Sequence, residues 1–162
     1  MSVREFLKRR LGGSRHRRGN ALGEGVDALD QLAILGQLDG LRSMEDGWLD
    51  GEGRAPAPAL IDWLVRSFET HYPDGTEPPY LYPTVQGGVQ AEWSVGGHEV
   101  SLRFPPDHQT GEWHDLALDT DEEETRELDL AEGRDWGWLA ARVVARSHSS
   151  KARKPSLNGL VQ

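Results

Sequence analysis

The chain has 162 residues, with 27 acidic and 18 basic side chains and a formal net charge of −9. It contains no cysteine, which excludes disulfides, thiolate zinc sites and cysteine nucleophiles. No apolar run approaches the roughly 18 residues that a membrane span requires, and no continuous apolar core follows the basic amino terminus, so no secretory signal is predicted. We therefore predict a cytoplasmic protein with one folded domain and no membrane span.

The charge is divided into three parts along the chain. Residues 1–20 carry +6, residues 21–141 carry −20 and residues 142–162 carry +5. We interpret this as one acidic domain over residues 21–146, with a basic disordered segment at 1–20 and a basic disordered tail at 147–162. One interpretation of the acidic domain is that its charge serves solubility alone; the other is that it repels nucleic acid, or mimics it toward a basic partner. The basic ends either contact phosphate or another anionic surface, or neutralise the domain in cis. The basic side chains concerned are Arg9, Arg10, Arg15, Arg17, Arg18, Lys151, Arg153 and Lys154.

Apolar residues at helical spacing predict two helices before any strand. The first runs from about Val26 to Leu41, and its two internal glycines each weaken it by roughly 1 kcal/mol relative to alanine. The second begins at Pro58, a residue that suits the first turn of a helix, and ends in the turn-forming residues after His71. Both helices therefore precede the part of the chain in which the spacing changes.

The stretch EDGWLDGEG, residues 45–53, connects these two helices and contains four carboxylates. An EF-hand calcium loop requires oxygen ligands at its third and twelfth positions. Counted from Asp46, those positions hold Trp48 and Ala57, so the calcium pattern fails. We interpret the stretch as a helix stop and connector in which Trp48 folds back as a hydrophobic plug; a looser divalent-metal site made of its carboxylates is the alternative.

The apolar spacing changes to a period of two in GGVQAEWSVGGHEVSLRF, residues 87–104. A two-residue turn at Gly96-Gly97 predicts a β-hairpin with one definite register. The predicted pairs are Val95 with His98, Trp93 with Val100, Ala91 with Leu102 and Val89 with Phe104. This register places the apolar side chains on one face of the hairpin and leaves Glu92 and Arg103 on the other.

Further strands are predicted on both sides of this hairpin. A turn at Gln86-Gly87 would place Tyr80 and Tyr82 of YLYP on the apolar face, and Leu116 and Leu118 of EWHDLALD would share that face. TRELDL is a candidate for one more strand. A last helix follows, in which the apolar side of WGWLAARVV consists of Trp136, Leu139, Ala140, Val143 and Val144.

Together these elements predict an α+β fold. It consists of two N-terminal helices, an antiparallel β-meander of four to five strands, and a C-terminal helix that packs on the apolar sheet face. The opposite face of the sheet is predicted to be polar.

Tryptophan is the most prominent candidate for a binding role. Trp113 falls out of phase with Leu116 and Leu118, which predicts that it lies on the polar sheet face, and Trp138 lies off the apolar side of its helix. Exposed tryptophans are effective anchors for protein partners, although partial cover by a loop or a tail is the alternative. Our candidate partner-binding residues are Trp48, Trp113, Trp138, Glu92 and Arg103.

Motifs for catalysis and for cofactors do not appear in the sequence. The six histidines lack the helical spacing of zinc hydrolases, and neither a G-x-S-x-G nucleophile motif nor a phosphate-binding glycine loop occurs. We therefore predict no catalytic residue, no metal and no cofactor. Two metal sites are left open as alternatives: the carboxylates of residues 45–53, and a site that combines His108, Glu112 and His114.

Seven short strings occur in a characteristic order between residues 28 and 140: DGWLDGEG, THYPD, PYLYPT, GGVQAEWS, HEVSL, GEWHDL and WGWLA. With these strings, the chain resembles a family of small bacterial proteins to which no activity is assigned. The most distinctive part of the resemblance runs from Tyr80 to Ser94. The resemblance implies a bacterial cytoplasmic protein whose folded body is independent of its basic ends, and it implies no catalytic residues.

The interpretation that we favour is a non-enzymatic protein-interaction domain. In one version it is an inhibitor of the immunity or antitoxin type, and in another an adaptor. One alternative is a metal-assisted hydrolase that uses the histidine site or the carboxylates of residues 45–53. The other is a nucleic-acid-associated protein that binds phosphate through its basic ends. No oligomeric state follows from the sequence.

Overall fold

The computed structural model describes the backbone of residues 26–149 and the burial of side chains from residue 32 to residue 148. The elements are helices α1 (Val26–Arg42) and α2 (Pro58–His71), strands β1 (Tyr80–Pro83), β2 (Val89–Val95), β3 (His98–Phe104), β4 (Thr110–Ala117) and β5 (Glu123–Asp129), and helix α3 (Gly133–Ser149). The strands form one antiparallel sheet in the order β1-β2-β3-β4-β5. The predicted α+β architecture is confirmed. The basic segment at 1–20 lies outside the described residues, as does the tail beyond residue 149.

One face of the sheet is buried beneath the helices. Helix α2 contributes Phe68 and helix α3 contributes Trp136 to this core, and both side chains are almost fully buried. The ring of Trp136 contacts that of Phe68 with 5.1 Å between centroids and stacks on Phe104 of β3 at 6.2 Å. Its Nε1 donates a hydrogen bond of 3.0 Å to the carbonyl of Leu130, so the indole is buried without an unpaired donor.

The central hairpin has the predicted register. Val95 pairs with His98, Trp93 with Val100 and Val89 with Phe104. Gly96 and Gly97 have φ values of +56° and +78°. Positive φ at both central residues is the requirement of a type I′ turn, which glycine meets without steric cost. The turn chemistry therefore sets which side chains of β2 and β3 enter the core.

The prediction for β1 is wrong by one residue. Leu81, and not Tyr82, lies opposite Ala91, and Tyr80 lies opposite Glu92. Five residues, 84–88, connect β1 to β2, closed by a hydrogen bond from the Thr84 N–H to the Gly88 carbonyl. Because a shift of one residue exchanges the two faces of a strand, Leu81 enters the core and Tyr80 is 66% exposed.

The predicted orientation of β4 is also wrong. Trp113 is fully buried, whereas Leu118 is 55% exposed. The buried positions of this strand are Gly111, Trp113, Asp115 and Ala117. The apolar side chains of Leu116 and Leu118 suggested the opposite phase because the core positions here include a glycine and a charged residue. Among residues 26–149, none of the helices is long and apolar enough to span a membrane.

Candidate interaction surface

No described helix covers the face of the sheet that points away from the helices. We call it the outer face and define it by the strand positions whose side chains point away from the helices; two rows that the strand register sets next to one another form its centre. The first row is Tyr80, Glu92, Ser101, His114 and Thr125, and the second is Tyr82, Gln90, Arg103, Glu112 and Glu127. The helices occupy the opposite face, so the side chains of both rows are exposed or half-buried.

The outer face is acidic. Its strand positions carry six carboxylates: Glu92, Glu99, Glu112, Glu123, Glu127 and Asp129. Within the described strands, Arg103 is the only arginine on this face, and it forms no ion pair or hydrogen bond with the described residues. Two shallow depressions lie on either side of it, one next to Gln90 and one next to Glu127. Within the described strands, carboxylates therefore outnumber arginines on this face by six to one.

Two of the candidate residues, Glu92 and Arg103, lie on this outer face as predicted. Glu92 is half-buried, and its Oε1 accepts a hydrogen bond of 3.0 Å from Nε2 of Gln90. Arg103 is exposed and lies opposite Gln90 on one side and Glu112 on the other. The structure therefore brings these two candidates together in adjacent rows.

Trp113 and Trp138 lie elsewhere. The prediction that Trp113 is on the polar face is corrected, because its ring is in the core next to Trp93, with 6.1 Å between centroids. Trp138 is half-buried, meets Trp113 edge-to-face at 5.4 Å, and has the guanidinium of Arg126 at 4.3 Å from its ring centroid. Arg142 approaches the same ring at 5.1 Å. Both tryptophans thus belong to the helix-covered side of the sheet.

Trp48 packs within its own loop. Its Nε1 donates a hydrogen bond of 3.2 Å to the Arg54 carbonyl. A Cβ atom added at Gly53 would lie 2.8 Å from the same Nε1, so the indole covers that glycine directly. Asp46 closes the loop by accepting a hydrogen bond of 2.8 Å from the Ala55 N–H. The loop is a compact connector, as its sequence suggested, and the ring is half-buried.

The metal alternative is not supported by a cluster of ligands. Glu112 and His114 alternate on the outer face of β4, and His108 lies in the exposed loop before that strand. Nε2 of His114 is 3.7 Å from Oε2 of Glu123. Within the described part of the chain, no group of three or more His, Asp or Glu side chains is placed to hold a metal ion.

Sequence reasoning missed a polar cluster on the helix-covered side. The carboxylate of Asp115 is 2% exposed; its Oδ1 lies 2.7 Å from Nδ1 of His98, and its Oδ2 accepts a hydrogen bond of 2.7 Å from Nε of Arg146. Arg142, one turn before Arg146, donates to Glu124 at 2.7 Å. The sequence did contain one signal for this cluster. Arg142 and Arg146 are four residues apart and so lie on the same side of α3, and both pair with carboxylates of the cluster.

The edge at β1 offers no backbone donor to another chain. Pro79 and Pro83 have no N–H, and the N–H of Leu81 between them donates to Oε1 of Gln37 on α1 at 2.8 Å. Nε2 of the same glutamine donates to the Pro79 carbonyl at 3.0 Å. Proline and a covering side chain are two of the devices by which proteins block sheet edges.

The edge at β5 is different. The Leu130 N–H donates to Gln109 and the Ala117 N–H donates to Glu122, which fixes the hydrogen-bonding parity of the β4–β5 ladder. Glu123, Thr125, Glu127 and Asp129 therefore direct their backbone N–H and C=O groups away from β4. Asp135 accepts the N–H of Asp129 at 2.8 Å. The other three residues are exposed, and their N–H groups donate to none of the described residues.

The geometry thus defines a class of protein: an α+β domain with helices on one sheet face, an acidic outer face and one open edge. Comparisons of the chain with protein-family models, with curated proteins and with solved structures found no match. The resemblance to a family of small bacterial proteins therefore stays a prediction.

Proposed function

We propose that the chain is a non-enzymatic protein-interaction domain whose outer face binds a basic surface of a partner protein. An inhibitor of the immunity or antitoxin type and an adaptor are the two versions of this function. The observation that carries the proposal is the outer face itself, where six carboxylates accompany a single arginine on strands that no described helix covers. Complementary charge accelerates the encounter of two proteins and selects between partners.

Apolar side chains for such a contact lie at the margins of the same face. Tyr80 is 66% exposed on β1, and Leu118 is 55% exposed just after β4. Large apolar or aromatic side chains supply much of the binding energy in protein interfaces, and a polar surround excludes water from them. Tyr80 therefore takes the anchoring role that the sequence assigned to Trp113.

Site-specific photo-crosslinking tests this proposal. A photoreactive phenylalanine derivative replaces Tyr80 in one variant and Leu118 in another, and each full-length chain is irradiated in native lysate. We expect both variants to crosslink the same protein, with a basic surface, and the crosslink to weaken at raised salt because exposed charges are screened.

The matched control carries the same photoreactive residue at Arg66, an exposed position on α2. This position lies on the helix side of the molecule and is expected to give no specific crosslink. Failure of both outer-face variants to capture a protein, or equal capture by the Arg66 variant, would contradict the proposed function.

A further inference from the structure

The two edges of the sheet differ in what they present to another chain. At β1, the outward positions consist of two prolines and one N–H that Gln37 occupies. At β5, Glu123, Thr125 and Glu127 each present one N–H and one C=O to solvent. Exposed edges of this kind pair readily with extended chains unless something blocks them. Only β5 therefore retains the groups needed to add a strand.

We propose that the β5 edge binds an extended basic segment of a protein partner as a sixth strand of the sheet. This inference rests on the proposed function and specifies its partner and its mode of binding. In strand addition, main-chain hydrogen bonds hold the peptide and its alternate side chains determine specificity. The three outward residues of β5 supply the main-chain groups.

Charge complementarity identifies the segment as basic. Between Asp119 and Asp129 the chain carries seven carboxylates and a single arginine, Arg126. The guanidinium of that arginine lies over the ring of Trp138, and Glu124 pairs with Arg142 at 2.7 Å, so the inward-facing charges of β5 already have partners. On the other side of the strand, Glu127 forms no ion pair with the described residues, and Glu123 has His114 at 3.7 Å.

The same charges disfavour a second copy of the chain at this edge. Antiparallel pairing of two β5 strands centred on Thr125 would place Glu123 of one copy opposite Glu127 of the other, and like charges in that position are destabilising. A partner strand with lysine or arginine four residues apart would instead face both glutamates. The two residues of the partner strand that lie opposite Glu124 and Arg126 would be neutral, because those two charges already have partners within the domain.

The test uses the full-length chain and a defined probe, the acetylated and amidated heptapeptide KVTVKVT. The control peptide has the same sequence with N-methyl groups on residues one, three and five, which removes the donors that face β5 and retains the charge. Binding is followed by amide chemical shifts and hydrogen exchange. We expect the amides of Glu123, Thr125 and Glu127 to shift and gain protection, and the methylated peptide, which loses three donors, to bind more weakly by a factor well above about 10.

A variant pair tests the edge from the other side. Thr125→Pro removes the central outward N–H, at a position where proline is tolerated on an edge strand, and should weaken the unmodified probe by about 10-fold. Thr125→Ala retains that N–H and should leave binding within about 2-fold. Unchanged amide shifts in the β2–β3 hairpin verify that each variant folds.

Three results would overturn the inference. Equal affinity for the methylated and unmodified peptides would show that charge alone binds the probe. Shifts that leave out the three β5 amides would place the probe elsewhere. Protection of those amides in the chain without probe would show that the edge is already covered. Protection that does not change with protein concentration would assign the cover to a basic end of the same chain, and protection that rises with concentration would assign it to a second copy. The peptide probe takes the place of the partner, so these results do not depend on whether a partner is captured. Crosslinking at Tyr80 and Leu118 therefore tests the proposed function separately.

Discussion

At the scale of single residues, Asp115 connects three elements of the fold. It lies on β4, its carboxylate contacts His98 on β3, and it accepts a hydrogen bond from Arg146 near the end of α3. A buried carboxylate is tolerated only when its charge is paired and its oxygens accept hydrogen bonds. The ion pair therefore holds the last turns of α3 against the sheet, while Trp136 packs the first turns into the core.

Neutralising Asp115 should destabilise the fold. Asp115→Asn retains the volume of the side chain but leaves Arg146 without its close carboxylate, and breaking a buried ion pair typically costs 3–5 kcal/mol. Because the Arg146 side chain is 23% exposed and has Glu124 at 3.7 Å, we expect a smaller loss of about 2 kcal/mol. Urea unfolding measures the free energy of unfolding of the variant against the parent chain.

The matched control is Glu124→Gln, which removes a more exposed carboxylate from the same cluster. Exposed ion pairs contribute about 0–1 kcal/mol, so this variant should unfold close to the parent chain. Equal destabilisation by both substitutions would show that burial of Asp115 is not what makes its ion pair important.

At the scale of elements, local turn chemistry determined which predictions succeeded. The Gly96-Gly97 turn allows one register, so the sequence predicted every pair of the β2–β3 hairpin. The connection between β1 and β2 has no comparable signal. Its five residues shift the register by one position from the register predicted for a two-residue turn at Gln86-Gly87, and this shift exchanges the two faces of β1. In β4, the buried Asp115 and Gly111 concealed the phase of the core, since sequence patterns assume apolar core positions.

The outer face was predictable from the sequence only where it depends on the β2–β3 hairpin. Its charge and two of its residues, Glu92 and Arg103, followed from the hairpin register. Its edges did not, because the pairing of Gln37 with β1 joins residues 44 positions apart, a contact that no local pattern encodes. The assignment of Trp113 to this surface failed together with the phase of β4.

The register of β1 has a direct consequence for stability. Leu81 is 4% exposed in the core, so Leu81→Ala should lower the free energy of unfolding by about 2–4 kcal/mol through lost burial and a residual cavity. Tyr80→Ala, at the exposed neighbouring position, should change it by less than about 1 kcal/mol. Chemical unfolding of the two variants compares them directly, and the reverse order would support the register expected from a Gln86-Gly87 turn.

At the scale of the whole molecule, negative charge is concentrated in the folded part. Residues 26–149 contain 25 acidic side chains and eight arginines. Three of those arginines, at positions 42, 142 and 146, pair with carboxylates within 2.7 Å. Such an excess of one sign keeps a protein soluble and selects basic partners, and it also destabilises the compact state by self-repulsion. The surface suited to binding therefore carries a cost in stability.

That cost predicts an unusual response to salt. Raising NaCl from about 20 to 200 mM shortens the screening length from roughly 20 Å to below 10 Å, which weakens the repulsion among the outer-face carboxylates more than it weakens the few close ion pairs. We expect the free energy of unfolding in urea to rise by about 0.5–1 kcal/mol over this range. One double variant, Glu112→Gln with Glu127→Gln, removes two of the repelling charges and should show a smaller rise in the free energy of unfolding. The control double variant, Glu69→Gln with Asp74→Asn, removes the same amount of charge outside the sheet and should respond more like the parent chain. Stability that falls with added salt would mean that ion pairs, and not repulsion, dominate the electrostatics of the fold.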